Sequence, residues 1–254
     1  TSASGGSGRT LNTRQNTAWL LYGGGLELVN EFIASANVRS IPSGNTGAQM
    51  GGWYRKPITS VADLNGLKLR IAGLGGTILS RLVVVPQQIG GGDIYAALDR
   101  GTIDAAEFSG PFDDEKLGFQ RVAPHYYYPG WWEGTANVGL YINLDAWGAL
   151  PASYQAVLET ACTEAMTHCV AKYDNGNPEA LMRLVSSGAQ LQAFPDDVLA
   201  AAFAESRKLY AEYAAANDNF RKIYDHWSAY WTRQQQWLRV AELPYDYFTS
   251  AQAG

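Results

Sequence analysis

Cysteine is scarce in this chain, with two residues in 254, and histidine is nearly as rare, with three. Cys162 and Cys169 are seven residues apart. If that stretch is helical, their Cα atoms lie about 10.5 Å apart at 1.5 Å per residue, beyond the roughly 7 Å limit for an intrachain disulfide. Two small packing residues are expected instead. The same five side chains offer no spacing that a zinc site needs. No apolar run approaches the roughly 20 residues needed to cross a bilayer, so no membrane span is expected. The opening TSASGGSGRT lacks the apolar segment of an export signal, and none is expected within the sequence. Basic residues never cluster beyond a pair, and the net charge is −5 from 19 basic and 24 acidic residues. A nucleic-acid surface therefore has no electrostatic support. The glycine runs Gly23–Gly25 and Gly90–Gly92 are not followed by Lys-Ser/Thr, which excludes a phosphate loop. Ser109, in Glu107-Phe108-Ser109-Gly110-Pro111, lacks the Gly-x-Ser-x-Gly elbow of a hydrolase nucleophile and reads as a turn residue.

The chain does have enough apolar residues, 46% of the total, to bury a substantial core. Residues 1 to 10 read as a flexible leader. Asn12 to Ala36 is helical in pattern but interrupted by three glycines, so two short helices are expected. Leu67, Leu69 and Ile71 alternate with polar or small residues, the period of a strand. A short helix near Thr77 to Leu82 follows, then the apolar run Val83 to Val85 closed by Pro86. Asp93 is placed to cap a helix ending at Arg100-Gly101, and a strand is expected over Ile103 to Glu107. Strands alternating with helices of this length indicate a mostly parallel sheet. Pro151 suits the first turn of a long helix, in which Gly176 and Pro178 predict a kink or break. A short strand at Gln190 to Phe194 precedes two further helices, and the last of these carries Trp227, Trp231 and Trp237.

Ligands of parallel α/β sheets sit beyond the carboxyl ends of the strands, where Arg70 and Glu107 both fall. A guanidinium there suits a bidentate grip on a carboxylate, or a plain surface salt bridge. Glu133 follows the aromatic run Tyr126 to Trp132, and a carboxylate against such a wall either takes up a proton or acquires a cation. Glu107 and Glu133 could form a metal cage, an acid/base pair of glycosidase type, or two unrelated acids. Gln49 offers the neutral oxygen that hard cations accept.

Four stretches together resemble the substrate-binding proteins of tripartite ATP-independent periplasmic (TRAP) transporters, in particular the alpha-keto-acid branch. They are GNTGAQMGGWYRKPI (44–58), DLNGLKLRIAGLGG (63–76), VPQQIGGGDIYAALDRGTIDAAE (85–107) and GPFDDEKLGFQRVAPHYYYPGWWEG (110–134). The resemblance implies an α/β fold of the two-lobed periplasmic binding protein type, with mostly parallel sheets and long C-terminal helices. It begins part-way into the family pattern, so an incomplete first lobe is expected. The implied organisation is a leader (1–10), a remnant of the first lobe (11–37), a second lobe bearing the site (38–134), a crossover strand with a long helix (135–188), and a short strand with C-terminal helices (189–254).

By the same resemblance, Arg70 clamps the substrate carboxylate, with Phe108, Asn45 and Gln49 as further substrate contacts. Gln49, Glu107, the Phe108 carbonyl and Glu133 hold a sodium ion, with calcium as the other candidate. Phe108 stands where that branch carries tryptophan, so one indole donor to the ligand is missing. The implied function is periplasmic capture of a 2-oxo or 2-hydroxy carboxylate for delivery to a TRAP membrane permease. The implied assembly is a homodimer through the C-terminal helix. Weak ester hydrolysis through Glu107, Ser109 and His125 is the alternative from a different functional class.

Overall fold

The computed structural model of the chain describes residues 10–252; the expected leader falls almost entirely outside the described residues. Two helices open the chain, α1 (Thr13–Tyr22) and α2 (Gly25–Ala34). Asn12 starts α1 with a capping box: its side chain accepts from the Gln15 N–H while the Gln15 side chain accepts from the Asn12 N–H, which satisfies two orphan donors at once. The glycine break expected after α1 is present.

Six short strands build the main sheet: β2 (Gly52–Tyr54), β3 (Lys68–Arg70), β4 (Val85–Gln87), β5 (Ala105–Ala106), β6 (His125–Tyr128) and β8 (Gln190–Ala193), in the order β4-β3-β5-β2-β6-β8. Three of its pairings are parallel, and the two antiparallel ones both involve β2. Successive side chains of a strand face opposite sides, and the sheet uses this fully. Tyr54, Leu69, Ala105 and Tyr127 enter one core, covered by α3 (Gly73–Ser80) and α8 (Asp196–Ala216). Trp53, Ala106 and Tyr126 enter the other, with α4 (Ile94–Asp99) and the end of α7 (Ala152–Ser186) over them. Both faces are thus buried, as a largely parallel sheet requires.

A second, two-stranded sheet pairs β1 (Val38–Asn45) antiparallel with β7 (Asn137–Asn143). This redraws the expected boundary at residue 38, because β1 sits with β7 and α2 rather than with the main sheet. Helix α5 (Pro111–Leu117) follows the site loop, and α6 (Leu144–Ala149) follows β7. Among other differences, α3 starts four residues before the expected Thr77, β5 is only two residues long, and Asp93 occupies the N-cap of α4 without a side-chain cap bond.

The largest departure is α7, which runs unbroken through Gly176 and Pro178 for 35 residues. Its glycine serves contact rather than a break. A Cβ at Gly176 would meet the Phe112 ring at 2.6 Å, and next to it the Asn177 side-chain oxygen accepts the Phe112 N–H at 3.0 Å. Docking on α5 supplies what the sequence-local cost of Gly and Pro removes. Cys162 and Cys169 both lie on α7 as free thiols, as expected.

The chain closes with α9 (Asp218–Ala241) and α10 (Leu243–Gln252). Of the three tryptophans on α9, Trp227 is buried and Trp231 partly buried against Leu11, Trp19 and Leu20 of the same chain, while Trp237 remains 61% exposed. The chain itself therefore covers two of the three tryptophans. No described helix is long and apolar enough to cross a membrane.

Candidate functional site at the carboxyl ends of the main sheet

The site is assembled by backbone hydrogen bonds between three distant segments. Met50 N–H donates to Ser109 O at 3.0 Å, and Gly130 N–H donates to Gln49 O at 3.1 Å. Residues 49–50, 107–109 and 130–133 therefore meet at one edge. Gly52 makes this approach possible. Its φ is +89°, and a Cβ there would lie 2.6 Å from Ala106 O, so any side chain would push β2 away from the strand that ends in Glu107.

Arg70 closes β3 and points at that edge. Its Nη1 donates to the Glu107 carbonyl at 2.5 Å and to Glu107 Oε2 at 3.1 Å, and its Nε donates to Ile89 O at 3.3 Å. The guanidinium carbon also stands 5.7 Å from the centre of the Phe108 ring, within cation–π range. Both Nη1 hydrogens and the Nε hydrogen are thus committed to the protein, and Nη2 makes no hydrogen bond among the described residues. A bidentate fork is therefore not available while the Glu107 pair is intact, a refinement of the sequence expectation.

Glu107 is 7% exposed. Burial pushes its carboxyl up to about 8; Arg70 opposes that shift, while the charges of Glu133 and Asp114 add to it. Nearby, Gln49 Oε1 is buried without a hydrogen-bond partner, an acceptor that lacks any donor. A buried orphan carbonyl oxygen close to the Glu107 and Glu133 carboxylates has the chemistry of a hard-cation site. Only two carboxylates contribute, and no cluster of three His, Cys, Asp or Glu suited to a metal occurs among the described residues. Any cation here needs neutral oxygens, and the Gln49 amide and backbone carbonyls are the ones at hand.

Two expected participants are placed elsewhere. Asn45 is fully buried. Its Nδ2 donates to Asn137 Oδ1 at 2.7 Å, and its Oδ1 accepts from Gly47 N–H at 2.7 Å and from the Thr135 hydroxyl at 2.8 Å. That side chain ties β1 to β7 and has no surface to offer a ligand, which removes it from the substrate set. His125 pairs across β2 at the level of Ala105, two positions down the strand from Glu107, so the sheet does not gather Glu107, Ser109 and His125 into an acid–nucleophile–base group.

Asp114 was not legible as part of this region. It is 1% exposed on α5, with Oδ2 accepting from Trp53 Nε1 at 2.9 Å and from the Tyr126 hydroxyl at 2.8 Å. The Trp53 and Tyr126 rings stack with centroids 3.8 Å apart. Burial pushes the Asp114 carboxyl up to about 7, against those two donors. In sequence, Asp113-Asp114 after Gly-Pro reads only as acids in a first helical turn.

Comparison with known proteins bears on what such a site does. The sequence profile of the family described as bacterial extracellular solute-binding protein, family 7 (DctP) matches residues 11–217. A monocarboxylate 2-oxoacid-binding periplasmic protein of Nostoc sp. strain PCC 7120 is 47% identical over 241 residues, covering 95% of this chain and 66% of that protein. This chain therefore spans about two thirds of that relative's length. A TRAP transporter solute-binding protein of Bordetella bronchiseptica, crystallised as a mixed-occupancy dimer with copurified calcium and picolinate in one active site, superposes with a TM-score of 0.95 at 49% identity, covering 98% of this chain and 74% of the other. A TRAP periplasmic solute-binding protein of Pseudoalteromonas atlantica with bound sodium and pyruvate gives 0.89 at 36% identity, covering 96% and 73%.

Proposed function

Because the chain belongs to the family 7 bacterial extracellular solute-binding proteins, we propose that it is a periplasmic, non-enzymatic binding protein of a TRAP transporter that captures a small 2-oxo carboxylate together with sodium or calcium for its permease. The observation that carries this reading is the convergence of Arg70 with Glu107, Glu133 and the partnerless Gln49 oxygen at one sheet edge. In this proposal Gln49, Glu107, Glu133 and the Phe108 carbonyl hold the cation. Arg70 takes the substrate carboxylate, and Phe108 and Gln49 line its site. The cation supplies the positive charge without which Glu107 and Glu133 would repel an anionic ligand. The Phe108 ring supplies an apolar wall with no donor, so recognition of the keto oxygen falls to the cation and to Arg70. The body around the main sheet is the lobe that carries these residues, and the β1–β7 unit with α1 and α2 belongs to the facing lobe.

Calorimetric titration of pyruvate with and without calcium or sodium tests this, in the wild type, Arg70→Ala and Glu133→Gln. A charge-assisted hydrogen bond contributes about 1.5–3 kcal/mol, so Arg70→Ala is expected to weaken pyruvate at least tenfold while the fold persists. Glu133→Gln is expected to abolish the cation dependence. Equal affinities in all three proteins would end the assignment.

A homodimer is the proposed assembly. Leu243, Tyr245, Tyr247 and Phe248 of α10 are all more than half exposed, together with Trp237 and Val240 at the end of α9, and an apolar patch of that kind marks an association surface. Sedimentation velocity at micromolar concentration, in the wild type and in Phe248→Glu, checks it: a dimer that the substitution dissociates is expected, and a wild-type monomer would refute it.

A further inference from the structure

Arg70 and Glu107 satisfy each other, yet each is assigned above to a different ligand. The side chains are 19% and 9% exposed and 3.1 Å apart, so both charges are largely desolvated once Glu107 is ionised, and the measurements below are made at pH 9, above its raised value of about 8. Removing one member of such a pair leaves the other as an uncompensated buried charge, which costs far more than the pair is worth. Suppose a cation alone takes the Glu107 carboxylate: Arg70 loses its anion. Suppose a carboxylate alone takes Arg70: Glu107 loses its cation. Both charges are compensated again only when the two ligands arrive together.

Resting on the proposed function, we infer that the Arg70–Glu107 ion pair is an internal stand-in for both ligands, and that its exchange makes cation and carboxylate bind cooperatively. The geometry gives the exchange a defined path. Only the Nη1–Oε2 bond joins the two side chains. The Arg70 Nε bond to Ile89 O and the Phe108 ring beneath the guanidinium do not depend on the Glu107 carboxylate. They hold the plane and aim of the guanidinium while Nη1 changes partner. Nη2, which is not engaged by the described residues, makes first contact with the incoming carboxylate, and the released Nη1 hydrogen completes the parallel fork that a carboxylate prefers. Pairwise attraction between bound cation and bound anion also favours joint binding, so the test must separate that from the exchange.

Arg70→Lys makes the separation. The ammonium keeps the positive charge, so repulsion of the cation is retained, but it cannot hold Glu107 and Ile89 O together with one fork. Calcium affinity is measured calorimetrically with and without saturating pyruvate, in the wild type and in Arg70→Lys. The exchange predicts that calcium alone binds roughly tenfold more tightly to Arg70→Lys, about 1.4 kcal/mol, because the buried Nη1–Oε2 bond no longer has to be broken. It also predicts that pyruvate enhances calcium binding less in this variant than in the wild type. By linkage, calcium enhances pyruvate binding by the same factor. Unchanged calcium affinity and unchanged enhancement in Arg70→Lys would overturn the exchange while leaving the binding function standing. Wild-type protein that binds neither ligand would overturn both. Should Arg70→Lys fail to fold by circular dichroism, Glu107→Gln carries the test, because Arg70 is then released at the outset. Calcium-free pyruvate affinity above the wild-type calcium-free value supports the exchange, and affinity at or below that value refutes it.

Discussion

The two sheets of this protein are finished to different degrees. Around the six-stranded sheet, Trp53, Ile78, Ile94, Leu98, Phe119 and Tyr126 have essentially no exposure, and its buried carboxylates are tied to indole, phenol or guanidinium donors. Around the two-stranded sheet, a cavity of about 460 Å³ opens between α2 and the α8–α9 pair, walled by Ile33, Tyr213, Phe220 and Tyr224. Phe32, also on its wall, is exposed. The lesson concerns what a substitution can do in each place. In a close-packed region any lost volume becomes a hole, whereas beside an existing hole added volume has somewhere to go.

Trp53→Ala should have the largest effect, a loss of about 3–5 kcal/mol in chemical denaturation, because it empties a core position and takes a donor from Asp114. A loss under 1 kcal/mol would show the main sheet to be no better packed than the small one. Next comes pH. Asp114 carries a carboxyl pushed up to about 7 in the folded state, from an ordinary value of 3.8. The folded chain therefore holds a proton that the unfolded chain has released, and this contribution to stability is complete below about pH 4 and is lost as pH rises to about 7. Melting temperature should fall between about pH 4 and 7, and Asp114→Asn should reduce that slope, the remainder coming from Glu107, whose carboxyl is pushed up to about 8. An equal slope in the variant would relocate the titration. Ile33→Trp, aimed into the cavity, should raise stability by about 0.5–2 kcal/mol; destabilisation would mean that the space is not available to a side chain. Smallest is Trp237→Ala, expected within about 0.5 kcal/mol because a ring 61% exposed leaves no hole.

The sequence made the local features readable and hid the long-range ones. The alternation around Leu69 and the strand-end positions of Arg70 and Glu107 follow from neighbours in the chain, as does the selection of Gln49 and Glu133 as candidates once a family pattern lends its weight. Pro86 reads as a stop, yet it lies inside β4 opposite Leu69, because β4 is the edge strand and one side of it needs no N–H donor. The pairing of Ile41 with Leu140 does not follow, because nothing local to either strand specifies a partner about a hundred residues away. Pro178 looked like a break because its cost is local and the compensation, Phe112 against Gly176, is tertiary. Asn45 looked available because a polar side chain in a glycine-rich stretch resembles a ligand, and only the folded chain shows it fully used by Asn137, Thr135 and Gly47.

The unbroken α7 has a mechanical consequence. At 1.5 Å per residue its 35 residues form a rod about 52 Å long. Near one end Glu159 grips Arg39 of the small sheet; toward the other, Tyr173 and Arg183 grip Asp113 and Glu115 of α5. A hinge in the middle would have let the two bodies move independently. A stiff rod held at both places gears them instead: Arg183 lies 24 residues, about 36 Å, beyond Glu159, so tilting the rod by one degree about Glu159 carries Arg183 through about 0.6 Å. Since α5 follows directly on the loop that carries Glu107, Phe108 and Ser109, a change of a few degrees at the small sheet is delivered to that loop as a displacement larger than a hydrogen bond tolerates.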